Sequence, residues 1–255
     1  MKLPPMRACA IFTWGVLMDE TLIRVERLEA HYGLGQALQD LNFSVGKECV
    51  AIMGRNGVGK TTLARALMGL NPPQTRGSVE LLGQQVLGWS PHRIAHLGVG
   101  YVPQGRRLFP SLSVDEHLQL NARKGPTGQR WSPSRVFELF PSLGQRRRAY
   151  ADQISGGERS MLAIGRALVT NPGCLILDEP TEGLAPAVVE DVATSLKELS
   201  REGVAVLLIE QNVKAAVMAA DRAYFMSEGR IVHETADGES MSNEATLGRY
   251  LGVSV

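Results

Sequence analysis

Short, uninterrupted apolar runs stand out along the chain: CVAIM at 49–53, VGYV at 99–102, CLIL at 174–177 and VAVLLI at 204–209. None has a polar face, which is the pattern of strands buried on both sides of a sheet. Two further segments carry a half-buried strand pattern. Residues 22–30 alternate imperfectly, with Leu22, Val25 and Leu28 set against Arg24, Glu26, Arg27 and Glu29. Residues 38–45 repeat the pattern, and GSVELL at 77–82 predicts another strand before the Gly83 turn. Helical spacing appears at 61–68, with Leu63, Ala66 and Leu67 on one face and Gly69 as the stop. It recurs after Ser155, with Met161, Ile164, Gly165 and Leu168 aligned, and at 186–199, where Val188, Val192, Leu196 and Leu199 face inward. Strands alternating with helices predict an α/β fold with a mostly parallel core sheet. Between residues 104 and 155 strand patterns are missing. Helices at 114–122 and 133–140, split by the loop KGPTGQRW, predict an inserted helical subdomain.

The link between the 49–53 strand and the 61–68 helix is GRNGVGKTT, residues 54–62. Gly54, four residues, then Gly59, Lys60 and Thr61 make the spacing of a P-loop. Such a loop wraps a triphosphate in backbone N–H groups from Gly54, Arg55, Asn56, Gly57, Val58, Gly59, Lys60, Thr61 and Thr62. Gly54, Gly57 and Gly59 let the backbone approach without a Cβ in the way. Lys60 is placed for the β- and γ-phosphates, and the Thr61 hydroxyl for Mg²⁺. The 174–177 strand ends in Asp178 and Glu179, which in a P-loop protein is the Walker B pattern. Asp178 then holds Mg²⁺, and Glu179 orients or deprotonates the attacking water. Glu210, Gln211 and Asn212 close the 204–209 strand, at the sheet edge where open α/β folds bind ligands. Ser155 and Glu158 have the spacing of a capping box around Gly156 and Gly157. Those two glycines weaken the helix but expose N–H groups at its positive end.

The remaining features narrow the classes. A net charge of +1 over 255 residues gives no general pull toward nucleic acid, and no apolar run is long enough to span a bilayer. Cys49 and Cys174 lie in apolar runs and read as reduced core thiols. His92 and His96, one helical turn apart, lack a third ligand and read as surface residues. Arg146, Arg147 and Arg148 read as a solvated face. Ser90 and Pro91 read as an N-cap followed by a first-turn proline. Residues 1–18 fit no element and read as a leader outside the fold. One unit, residues 19–255, follows.

GRNGVGKTT, ISGGE and CLILDE, in this order and spacing, resemble the ATP-binding cassette family from about residue 22 onward. The resemblance implies a P-loop ATPase with an N-terminal antiparallel β subdomain and an inserted helical subdomain. It implies ATP and Mg²⁺ as ligands. Tyr32 would stack on adenine. Gln104 would meet Mg²⁺ and the water, and Gln211 would take the place of the family's switch histidine. Ser155, Gly156, Gly157 and Glu158 would cap the γ-phosphate of a second cassette subunit, in a homo- or heterodimer closed head to tail. Glu158 stands where the family usually has Gln, and Ala185 where it usually has Asp. YVPQGRRLFPSLSVDEHL, DEPTEGLAP, LLIEQN and NEATLGRYLG look like the cassettes of branched-chain amino acid importers, with the urea and short-amide importer cassette as a close cousin. That branch implies a peripheral subunit on the cytoplasmic face of the cell membrane. It would drive a separate membrane permease through the segment around Phe109 and Pro110, and serve a solute-binding protein indirectly. A soluble cassette acting on DNA or ribosomes would instead show two cassettes, a long coiled coil or a basic stripe, and a non-catalytic nucleotide-binding regulator would not need Glu179.

Overall fold

The computed structural model describes residues 21–124 and 130–251, so the expected leader at 1–18 lies outside the described residues. Two sheets organise them. The first is antiparallel, ordered β2-β1-β4-β5, from β1 (Ile23–Tyr32), β2 (Gly35–Val45), β4 (Gln74–Leu81) and β5 (Gln84–Gln85). The second is ordered β10-β9-β3-β8-β7-β6. It contains β3 (Cys49–Met53), β6 (Val99–Val102), β7 (Cys174–Asp178), β8 (Ala205–Glu210), β9 (Arg222–Ser227) and β10 (Arg230–Thr235). Every pairing in it is parallel except β9 with β10.

The four apolar runs are four adjacent parallel strands, β3, β8, β7 and the edge strand β6, and all their residues are buried except the half-buried Tyr101 of β6. Val50, Ile52, Ile176 and Leu207 pack toward α1 (Lys60–Leu67), α2 (Pro91–Leu97) and the antiparallel sheet. Ala51, Met53, Leu177 and Leu208 pack toward the helices of the other side. These are α3 (Val114–Asn121), α4 (Pro133–Leu139), α5 (Pro141–Gln145), α6 (Gly156–Leu168), α7 (Pro186–Arg201) and α8 (Val213–Ala219), followed by α9 (Gly238–Ser242) and α10 (Glu244–Leu251). Each fully buried Leu or Ile contributes about 1.5–3 kcal/mol.

The broken alternation in β1 has a cause. Glu26 and Arg27 both point outward because Arg27 sits at φ 49°, a bulge that shifts the register against β2 and β4. The Arg27 N–H is answered by the Asn42 side chain at 2.9 Å. Other expectations need correcting. The strand runs past the 22–30 pattern through Tyr32, which pairs with Gly35, so the turn is Gly33 and Leu34. On α7 it is Val189 that is fully buried, while Val188 is half-buried. A Cβ on Gly165 of α6 would lie 2.5 Å from Val136 of α4, so α6 packs directly against the inserted helices. The hairpin of β9 and β10 was not read from the sequence. Its signal is the two-residue Glu228-Gly229 turn, left-handed at both positions (φ 47° and 73°), which suits the twist of a hairpin.

Candidate functional site

Parallel pairing brings the C-terminal ends of β3, β6, β7 and β8 to one edge of the sheet, and the predicted residues follow those ends. The loop after β3 leads into α1 and forms the floor of a cleft of about 510 Å³. Asn56, Gly57, Val58, Gly59, Lys60, Thr61 and Thr62 line it, facing Gln104 and Glu179. Its far wall is Gln36, Ala37 and Gln39 of β2 with Glu228 and Gly229 of the hairpin turn. Tyr32 is at the end of β1, 41% exposed, and is not among the lining residues.

The loop glycines serve different purposes. Gly57, at φ 82°, faces open space. Gly54 and Gly59 are instead required by packing. A Cβ on Gly54 would meet the Met226 carbonyl at 2.6 Å, and one on Gly59 would meet the Ala37 carbonyl at 2.9 Å. The hairpin turn braces the loop from behind, since the Gly229 N–H donates to the Val58 carbonyl at 2.9 Å. No side chain caps α1 at Gly59. Its first N–H groups and positive dipole end therefore remain for an anion in the cleft.

Lys60 is 4% exposed, and its ammonium is held by the carbonyls of Gly54 (2.9 Å) and Arg55 (3.0 Å) and by Glu179 Oε1 (3.0 Å). Glu179 Oε2 accepts from Gln104 Nε2 at 3.2 Å, and the same amide donates to Glu182 at 3.0 Å. Glu179 sits at φ 50°, with its N–H donated to the Ile209 carbonyl at 2.9 Å. The Thr61 hydroxyl donates to Asp178 Oδ1 at 3.4 Å. Asp178 Oδ2 is buried without a hydrogen-bond partner among the described residues. Burial, reinforced by the charge of Glu179, raises the Asp178 carboxyl to about 6 against the opposing pull of Thr61 and Lys60. A buried carboxylate oxygen with no donor, beside a hydroxyl, is a donor set that fits a hard divalent cation, so Thr61 and Asp178 suit Mg²⁺. Gln104 is bonded to Glu179 and Glu182 rather than to either of them.

A second cleft, of about 330 Å³, joins Asn56 and Glu179 to Gln211. Ser155, Gly156, Gly157 and Glu158 line neither cleft. Their capping box is formed: Ser155 Oγ accepts from the Glu158 N–H at 3.2 Å, and Glu158 Oε2 accepts from the Ser155 N–H at 2.7 Å. Glu158 Oε1 also lies 3.8 Å from Arg146 Nε, which gives that arginine of the triplet a partner.

Comparison with known proteins decides what this arrangement belongs to. The family model described as ABC transporter matches residues 38–182, a span running from β2 past the P-loop and through Glu179. The chain belongs to the ABC transporter family, as one of its ATPases. It is 38% identical to the high-affinity branched-chain amino acid transport ATP-binding protein BraG of Pseudomonas aeruginosa, over 91% of this chain and 100% of that protein. It is 33% identical to the probable branched-chain amino acid transport ATP-binding protein LivF of Archaeoglobus fulgidus, over 91% of this chain and 99% of that one. The structure of an ATP-binding cassette in its ADP conformation superposes with a TM-score of 0.77 at 25% identity, covering 90% of this chain and 96% of that one.

In this ABC ATPase, several bonded residues had been given no role from the sequence. Arg106 donates to Ser160 Oγ at 2.7 Å and to the Glu182 carbonyl at 2.8 Å, and Ser160 donates to the Pro180 carbonyl at 2.6 Å. Arg106 thus ties the Gln104 loop, α6 and the turn after β7 together. The sequence carries no signal of this role; in the structure residues 105–107 are all left-handed, two of them arginines. Ala185, where the general pattern has Asp, is the N-cap of α7 without a side-chain bond, and Pro186 fills the first helical position. No helix among the described residues is long and apolar enough to cross a membrane.

Proposed function

We propose that this ATPase is the motor subunit of a branched-chain amino acid importer, peripheral to the cytoplasmic face of the membrane. The observation that carries the chemistry is the meeting of Lys60, Thr61, Glu179 and Gln104 at one cleft, with the buried Asp178 bonded to Thr61. In this reading Lys60 exchanges its carboxylate contact for the β- and γ-phosphates, and the open end of α1 receives their charge. Thr61 and Asp178, with Gln104, would hold Mg²⁺, which would neutralise charge on the phosphoryl oxygens. Glu179 takes the proton of the attacking water, and Gln104 and Gln211 orient that water and the γ-phosphate. Gln211 donates a hydrogen bond but does not titrate.

Residues 155–158 lie away from the clefts of their own chain, which supports their use across a dimer. Ser155, Gly156 and Gly157 then cover the γ-phosphate bound by a second cassette subunit, and Tyr32 stacks on the adenine. ATP binding closes the dimer and hydrolysis reopens it. The motion passes to separate permease subunits at the loop around Phe109, whose ring is 55% exposed. A solute-binding protein is reached only through that permease.

The solute class rests on the BraG and LivF similarities, which span nearly the whole chain. The test is uptake of labelled leucine, isoleucine, valine and urea in a strain lacking this gene. Loss of the amino acid uptake, restored by the wild-type gene but not by Lys60→Ala, is the expected result. Loss of urea uptake alone would move the chain to the urea and short-amide branch.

A further inference from the structure

Glu210 has no part in the mechanism above, although it closes β8 immediately beside Gln211. Its side chain is 2% exposed. Oε1 accepts from the Thr181 N–H at 3.0 Å and from the Thr181 hydroxyl at 2.6 Å. Oε2 accepts from the N–H groups of Gln211 at 3.0 Å and Asn212 at 3.1 Å. All four partners are donors, an arrangement that an ionised, acceptor-only carboxylate satisfies and a neutral amide does not.

The bonds join two turns. The backbone ladder between the neighbouring strands β7 and β8 ends where the Glu179 N–H meets the Ile209 carbonyl. Beyond that point the strands diverge into the turn carrying Thr181 and the turn carrying Gln211. The Glu210 carboxylate continues the link that the backbone no longer makes. Gln211 itself is exposed at the cleft it shares with Asn56 and Glu179. A long amide reaches a defined point only if its own backbone is fixed.

We infer that Glu210 is a positioning residue for hydrolysis, pinning the backbone of Gln211 to the Thr181 turn so that the Gln211 amide faces the reacting phosphate. This rests on the reading of Gln211 given under the proposed function. The Thr181 side is the anchor, because that turn follows Glu179 directly and is held to α6 through Pro180 and Ser160. A misplacement of about 1 Å at such a group costs up to about 100-fold in rate.

The experiment compares Glu210→Gln, Thr181→Val and Gln211→Ala in the full-length chain, singly and as the two doubles containing Gln211→Ala. Steady-state phosphate release with Mg-ATP, equilibrium ATP binding and melting temperature are measured for each. Glu210→Gln is expected to lower kcat by about 10- to 100-fold while the ATP dissociation constant stays within about two-fold. Thr181→Val, which removes one of the bonds and keeps the others, lowers kcat by less and covers the case in which Glu210→Gln does not fold. In the Gln211→Ala background either change should add less than about two-fold, because the group being positioned is gone. A merely structural Glu210 would lower the melting temperature but leave kcat of the folded enzyme alone, and that result overturns the inference. Equal losses of kcat with and without Gln211 overturn it as well. If Gln211→Ala by itself leaves kcat unchanged, the assignment of Gln211 falls and the inference falls with it. If Gln211→Ala is impaired but Glu210→Gln and Thr181→Val are not, only the inference fails.

Discussion

Glu179→Gln changes one atom, and the structure gives that atom two separate consequences. Glu179 Oε1 lies 3.0 Å from the Lys60 ammonium, and Oε2 accepts from Gln104 at 3.2 Å. The two members of the ion pair are only 4% and 10% exposed. An amide has one acceptor oxygen. It keeps Lys60 by turning its NH₂ toward the NH₂ of Gln104, unless Gln104 flips and gives up its bond to Glu182. Breaking a buried pair outright costs about 3–5 kcal/mol. Here two carbonyls and the remaining amide oxygen still hold Lys60, so the cost reduces to about 1–2 kcal/mol, a fall in Tm of roughly 2–8 °C for a chain of this size. The chemical consequence is larger. Loss of a general base removes on the order of 100-fold or more from turnover, about 3 kcal/mol of barrier. ATP offers Lys60 a new anionic partner, so the variant should bind ATP and gain more Tm on ATP addition than the wild type. Phosphate release under Mg-ATP, equilibrium ATP binding and thermal melts with and without ATP check all three points. Turnover within about three-fold of wild type would remove Glu179 from the mechanism. A Tm unchanged without ATP would refute the argument from the Lys60 pair.

Other expectations follow from single contacts. Gly157→Ala places a Cβ 2.4 Å from Val188 Cγ1, so it should lose about 1–3 kcal/mol in denaturant unfolding, and adding Val188→Ala should recover part of that loss. Asn171 is 1% exposed, accepts from the N–H groups of Arg130 and Trp131 and donates to the carbonyls of Arg123 and Trp131. Asn171→Ala strands those groups and should cost at least about 3 kcal/mol, read as a lower denaturation midpoint with ATP affinity unchanged. Glu158→Gln keeps the capping geometry and loses only a pairing with Arg146, which is 62% exposed, so Tm should move by less than about 2 °C. Removing that charge from residues 155–158, the segment proposed to cover the second subunit's γ-phosphate, should tighten the ATP-bound dimer in a Glu179→Gln background, most clearly at low salt. Equal dissociation constants there would leave Glu158 as a cap alone.

What the sequence by itself determined was whatever lies within a few residues. The P-loop between strand and helix needs only the spacing of Gly54, Gly59, Lys60 and Thr61. The capping box of Ser155 and Glu158 closes across three residues, and its bonds form as the spacing predicts. The central strands were legible because a strand buried on both faces has no polar face to hide. Even so, the alternation in β1 read as imperfect, because a bulge at Arg27 turns two successive side chains outward and the bulge is set by the strands on either side. Only the tertiary structure decided the rest. Glu210 and Thr181 are 29 residues apart, and Arg106 and Ser160 are 54 apart. They meet because the sheet order places β8 beside β7 and β7 beside β6. Spacing along the chain carries no trace of that order, since it comes from which hydrophobic faces are buried together. Gly54 shows both levels at once. Its place in the motif is visible in the sequence, yet part of the reason it must be glycine is the Met226 carbonyl, on a strand from the far end of the chain, which a Cβ on Gly54 would meet at 2.6 Å.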